Sequence, residues 1–174
     1  MGTNQGIGTE FYQPLDFRQR YFVRPFIGTE QRKIGFYFEG DRIAEYLTRE
    51  YRAGVDLGAN LDVYGQAKVG YIERKLRATL DTGDPIFPDS KQDVGGVRAT
   101  LALDTQDFAF FPTKGFQANL DYFEAVRESN LAGKYGRVAG FLRGAWSPGD
   151  LILLGRMEGG QATSGSPPLV DAFY

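Results

Sequence analysis

The chain has neither cysteine nor histidine among its 174 residues. The first absence removes disulfides and thiol nucleophiles. The second removes imidazole bases, and together they remove Cys/His zinc sites and the His-based triads of most familiar hydrolases. No run approaches the roughly 18 consecutive apolar residues of a spanning helix, which does not exclude a membrane crossed by strands. Charge of one sign is lacking too: 20 basic residues stand against 22 acidic ones, for a formal net charge of -2. A polycationic footprint for nucleic acid or for an anionic lipid surface is therefore missing. What is abundant is glycine, with 23 residues, and aromatic side chains, at 14%, both well above ordinary usage. Glycine and aromatics without cysteine suit the many strands of a barrel.

Hydrophobic periodicity is period two almost throughout. In "GVRATLALD", Val97, Ala99, Leu101 and Leu103 alternate with Arg98, Thr100, Ala102 and Asp104, so one face is apolar and the other polar. "GFQANLDYF" sets Phe116, Ala118, Leu120 and Tyr122 against Gln117, Asn119 and Asp121, and "EYRAGVDLG" sets Tyr51, Ala53, Val55 and Leu57 against Arg52, Gly54 and Asp56. In "YGQAKVGYIER" the apolar set is Ala67, Val69 and Tyr71. In "YGRVAGFLRGAW" the pattern weakens, because Phe141 falls with Arg137 and Arg143. "RIAEYLTREYRAG" is rich in helix formers, but its tail alternates at period two and it reads as strand.

Eight strands in hairpin order are expected over a single domain, 1–174. They run from Gln5 to Gln13, Arg20 to Phe38 with an interruption near Pro25 to Thr29, Arg42 to Leu57, and Asp62 to Leu80. The remaining four run from Gly95 to Asp104, Gly115 to Arg127, Tyr135 to Trp146, and Leu151 to Gln161. Compact connections ("PLDFRQ", "LGANLDV", "WSPGDL") alternate with longer polar ones ("DTGDPIFPDSKQDVGG", "RESNLAGKYG"), as in a transmembrane barrel. "EGDR" is the exception: a tight turn at a long-loop position, which requires either that its flanking strands project past the membrane or that the strand count differs from eight. A soluble ligand-binding barrel alternates as well, with its apolar face turned inward. Glu10, Arg24, Lys68, Arg98, Asp121 and Arg156 suit a wet or ion-paired lumen as readily as bulk water.

One motif separates these readings. "LDTQDFAFFPTKGFQANLDY" carries Asp104, Asp107, Phe111, Pro112, Thr113 and Gly115. It resembles the strand-turn-strand signature of the BamA/TamA-type outer-membrane barrel superfamily, the bacterial surface antigen family. "YGQAKVGY" after "DLGANLDV" is similar to that family's preceding hairpin, and "LILLGRMEGG" to the strand leading to its lumen loop. "EFYQPLDFRQRYFVRPF" is most similar to the branch in which a patatin-like lipase precedes the barrel. Gln106 departs from the motif, at a position the family often fills with arginine. The resemblance implies an all-β, antiparallel up-and-down transmembrane β-barrel in a bacterial outer membrane, with about eight strands here out of a sixteen-stranded parent. It implies a non-enzymatic wall for protein assembly or polypeptide translocation. The partners so implied are outer-membrane lipid and a translocated polypeptide or passenger domain, with no nucleic acid and no cofactor.

The aromatic turn then has a physical role. Phe108, Phe110 and Phe111 anchor at the headgroup level, while Asp104 and Asp107 face water or cap backbone N–H groups. The motif residues are expected to fold the barrel rather than carry chemistry. Candidate lumen charges are Arg98, Arg137, Arg143 and Arg156 with Asp121 and Glu158, read as a cross-strand ion-pair network. Asp81, Asp84, Asp89 and Asp93 share a loop but lack EF-hand spacing and read as solvated. No Gly-x-Ser-x-Gly elbow is present, so no lipase centre is expected. The terminal Phe173-Tyr174 pair resembles an outer-membrane targeting ending, though the prolines before it break the strand such a signal needs. A self-closed eight-stranded pore and a soluble ligand-binding barrel stay open as alternatives.

Overall fold

A computed structural model describes residues 4–38, 41–83, 90–127 and 133–166. Among these residues the protein is all-β, with β1 (Gln5–Glu10), β2 (Gln13–Pro14), β3 (Tyr21–Phe38), β4 (Asp41–Asn60), β5 (Gly65–Gly83), β6 (Ser90–Asp104), β7 (Gly115–Ala125), β8 (Gly136–Trp146) and β9 (Leu153–Ser164). They form one antiparallel sheet in the order β1-β3-β4-β5-β6-β7-β8-β9, with β2 also on β3. Every connection from β3 onward joins neighbours, the up-and-down order expected. Among the described residues β1 pairs only with β3 and β9 only with β8, so the sheet is open. That differs from the self-closed eight-stranded cylinder, which needs its first and last strands joined.

There are nine strands rather than eight because the break expected within β3 falls in its partner instead. β3 runs through Pro25, which pairs with Val55 of β4 without interruption. In a strand, a residue's N–H and C=O point to the same side, and the Pro25 carbonyl accepts from Phe11 N at 3.0 Å. The donor that proline lacks is therefore missing on the β1/β2 side, where the first strand is split at Phe11 and Tyr12. "RIAEYLTREYRAG" lies within β4, as its period-two tail requires.

Register sorts the side chains into rows across the sheet. One row reads Arg24, Asp56, Gly70, Arg98, Phe123 and Arg137; the next on the same face reads Phe22, Gly58, Lys68, Thr100, Asp121 and Ala139. The opposite face carries Val23, Leu57, Val69, Ala99, Tyr122 and Val138 in one row and Tyr21, Ala59, Ala67, Leu101, Leu120 and Gly140 in another. A cavity of about 640 Å³ is lined by residues from Gly8 on β1 to Arg137 on β8. In a flat sheet those strands would lie about 29 Å apart, at about 4.8 Å per step. The sheet therefore curls, with the charged face inside.

The only dry core among the described residues sits on that inner face. Ile72, Val94, Phe123, Ala125 and Tyr135 form it, with Phe26 packed alongside. Its large rings lie over glycines: Phe26 over Gly54, and Phe123 over Gly96. A side chain at Gly54 or Gly96 would collide with them. No second layer of described structure covers the apolar outer face, which a water-soluble sheet would bury.

Candidate functional site

The charged interior is organised around Asp56, whose relative exposure is 0%. Its carboxylate Oδ2 accepts from Arg24 Nη2 at 2.7 Å and Nε at 3.2 Å, while Arg98 donates from Nε to Oδ1 at 2.9 Å and from Nη2 to Oδ2 at 2.6 Å. Arg24 stands directly opposite Asp56, but Arg98 is two strands away. The position between them is Gly70, where a Cβ would meet Asp56 Oδ1. Glycine there leaves the passage through which the Arg98 guanidinium reaches the carboxylate. Paired guanidiniums are what a buried carboxylate needs to offset its lost hydration. Arg98 also lies 4.4 Å from the Phe26 ring centroid, a cation–π contact. Arg24 Nη1 continues to Glu10 Oε2 at 3.1 Å and ties the edge strand β1 to the centre. Arg74 and Glu50 form a second pair at 2.8 Å.

Of the six candidate lumen charges, Arg98 and Asp121 share this inner face but do not pair with each other. Arg98 takes Asp56, and Asp121 accepts from Thr100 Oγ1 at 3.0 Å. Arg137 lines the cavity. Arg156 and Glu158 pair within β9, at 2.6 Å. Arg143 donates to the side chain of Gln106 at 2.9 Å. The expected stripe is thus several small groups rather than one network. Asp56 and Gly70, at its centre, had no signal in the sequence beyond their place on the polar face, whereas Arg24 was among the charges that suit an ion-paired lumen and is ion-paired here.

The turn motif is assembled as one unit. The Asp107 carboxylate accepts from the backbone N–H groups of Phe108, Thr113 and Lys114 at 3.1, 2.8 and 3.1 Å and from Thr113 Oγ1. These donors, the Thr113 hydroxyl foremost and the Lys114 N–H next, lower its pKa from 3.8 to about 2. Asp104 accepts from Gln106 N at 3.0 Å and Gln117 Nε2 at 3.2 Å. Pro112 is buried. Gly115 has φ 94°, and a Cβ would meet the Thr105 carbonyl oxygen, so only glycine fits. Gln106 bridges this turn to Arg143 on β8.

The outer face is the second element of the site. Val55, Val97 and Leu120 are 43%, 38% and 51% exposed, whereas their neighbours Asp56 and Arg98 are paired within. This apolar band ends in tyrosines followed by charge. Tyr71 OH donates to Glu73 Oε1 at 2.8 Å, and Tyr122 OH donates to Glu124 Oε2 at 3.0 Å. On β4, Tyr51 precedes the band and Arg49 lies beyond it. Arg127 joins Glu73 at 2.7 Å on the charged side. The Tyr71 and Tyr122 hydroxyls thus each find a polar partner at the edge of the apolar band.

Among the described residues no group of three His, Cys, Asp or Glu is placed to hold a metal ion. Asp81 instead pairs with Lys33, and Asp84 and Asp89 lie outside the described residues, as do Phe173 and Tyr174. Neither a protein-family model nor a curated protein matches the chain.

Proposed function

We propose that the chain is a wall segment of an outer-membrane β-barrel of the protein-assembly and polypeptide-translocation type, non-enzymatic, with lipid on its apolar face. The observation that carries this reading is the outward apolar band closed off by Tyr51, Tyr71 and Tyr122, set against an interior of paired charges. A soluble barrel would turn the same residues inward and bury them. The turn from Asp104 to Gly115 supports the family assignment through its hydrogen-bonded build. In hydrocarbon, the outer N–H and C=O groups of β1 and β9, which have no strand partner among the described residues, require one, so the wall works as part of a larger closed barrel. The charged cavity then belongs to a wet lumen along which a polypeptide passes.

The test is a gel-shift assay of the protein refolded in detergent or lipid vesicles. The expected result is an unboiled form that migrates differently from the boiled one and that needs detergent to stay dispersed. A monodisperse, water-soluble chain without detergent overturns the reading.

A further inference from the structure

The inner face carries two charges near β1 that nothing holds. Arg52 stands directly opposite Arg74, and Glu30 directly opposite Glu50, so like charges face each other across neighbouring strands, which destabilises a sheet. Arg74 and Glu50 relieve this by pairing diagonally with each other at 2.8 Å. Arg52 and Glu30 are diagonal neighbours of the same kind, yet neither forms a hydrogen bond or ion pair among the described residues. Both lean toward the free edge instead. Arg52 Nε lies 3.2 Å from where a Cβ at Gly28 would stand, and Glu30 Cγ lies 3.7 Å from one at Gly6. Gly28 is paired with Gly8 and Glu30 with Gly6, so the edge strand puts no side chain in front of either charge. A hollow of about 290 Å³ lies there, lined by Gly6, Gly8, Glu30 and Arg52 among others.

The molecule uses this device once already, where Arg98 reaches Asp56 by passing over Gly70. Glu30 faces outward over Gly6 in the same way. A cation on the next strand, opposite Gly6, would stand across the same two-strand span that Arg98 covers. Arg52 looks over two glycines, and a strand added beyond Gly8 would lie about 14 Å from it in a flat sheet, at three steps of about 4.8 Å. A glutamate is long enough to share that distance with an arginine, and the inward curl of the sheet shortens it.

We infer that the free edge of β1 takes an antiparallel strand whose inward face carries a glutamate opposite Gly8 and, two residues later, a lysine or arginine opposite Gly6. The inference rests on the barrel reading above, which requires some strand on β1, and adds which strand fits and in what register. A slip of two residues in either direction sets the newcomer's glutamate beside Glu30 or its cation beside Arg52, so the charges lock the pairing. The far edge of the sheet does not answer this pattern. Laid antiparallel on β1, β9 can serve only one of the two charges, because Arg156 precedes Glu158 along its inward face.

The test uses the full chain refolded in detergent and two short fluorescent peptides of alternating valine and serine. They differ only in the order of one charged pair set at serine positions, Glu-Val-Lys in one and Lys-Val-Glu in the other. Fluorescence anisotropy is expected to show the Glu-Val-Lys peptide binding about tenfold more tightly, the difference between two part-exposed ion pairs and two like-charge contacts, with the gap narrowing in salt. Arg52→Gln combined with Glu30→Gln should bring the two peptides level while the gel shift persists. Equal binding to the unsubstituted protein, tighter binding of the reversed peptide, or a preference that survives both substitutions overturns the charge pairing and leaves the membrane reading standing. Binding of neither peptide to protein that keeps its gel shift overturns it as well. Absence of the gel shift in unsubstituted protein overturns the membrane reading itself, and this inference with it.

Discussion

Asp107 answers three backbone N–H groups and a hydroxyl with one carboxylate, and this couples the turn to pH. Its folded pKa, about 2, is depressed below the unfolded value of about 3.9. The stabilisation is therefore present above about pH 4 and is lost as pH falls toward about 2. Limited proteolysis with an acid-active protease should show 105–114 resisting cleavage at about pH 4 and becoming labile below about pH 3. Asp107→Asn should be cleaved at both, with no acid step. This residue was legible in the sequence as part of a turn and as a backbone cap. Asp56 was not legible as a centre, since nothing along the chain tells that Arg24 will face it and that Gly70 will let Arg98 across.

At the scale of the strand, glycine divides into two kinds that a sequence presents alike. Gly58 lies beneath Phe22, whose ring a Cβ would strike, whereas nothing stands within 4 Å of a Cβ at Gly155. Gly58→Ala should destabilise by about 1–3 kcal/mol through forced displacement of the ring. Gly155→Ala should be neutral or stabilising by about 0.5 kcal/mol, because it removes only unfolded-state freedom. Urea titration of the refolded protein should show a lowered midpoint for Gly58→Ala and an unchanged or raised one for Gly155→Ala. Strand identity itself was legible, because alternation of Val97, Leu101 and Leu120 against Arg98 and Asp121 admits only period two. The weakened alternation of β8 has a local cause: Phe141 does face inward, where the Arg156 guanidinium lies 5.4 Å from its ring centroid. The break near Pro25 was legible only as a break, since the strand on which a missing N–H is felt depends on pairing, which is a property of the folded sheet.

At the scale of the molecule, the assignment of faces can be read chemically. Val55→Cys on the apolar band should react slowly with a membrane-impermeant maleimide after refolding into vesicles. Arg49→Cys, three outward positions farther up the same strand, should react as fast as in denatured protein. Equal rates at both would place the band in water. Which face was apolar could be read from the chain; whether the ends of the sheet meet could not, because closure depends on accumulated twist and curl rather than on any local pattern.

The strands are level at one end and unequal at the other. At the level end the pairs Tyr21 with Ala59, Asn60 with Gln66, Asp104 with Gln117, and Trp146 with Leu153 stand near the connections. From there β3, β4 and β5 run 18, 20 and 19 residues, against 11 each for β7 and β8. The surplus of about eight residues, near 3.3 Å apiece, lengthens the strands of one flank by about 26 Å. If the wall sits in a membrane as proposed, that flank is a parapet above it while the β7–β8 side is a low sill, so anything approaching from the water would have its shortest way to the cavity from a single compass direction.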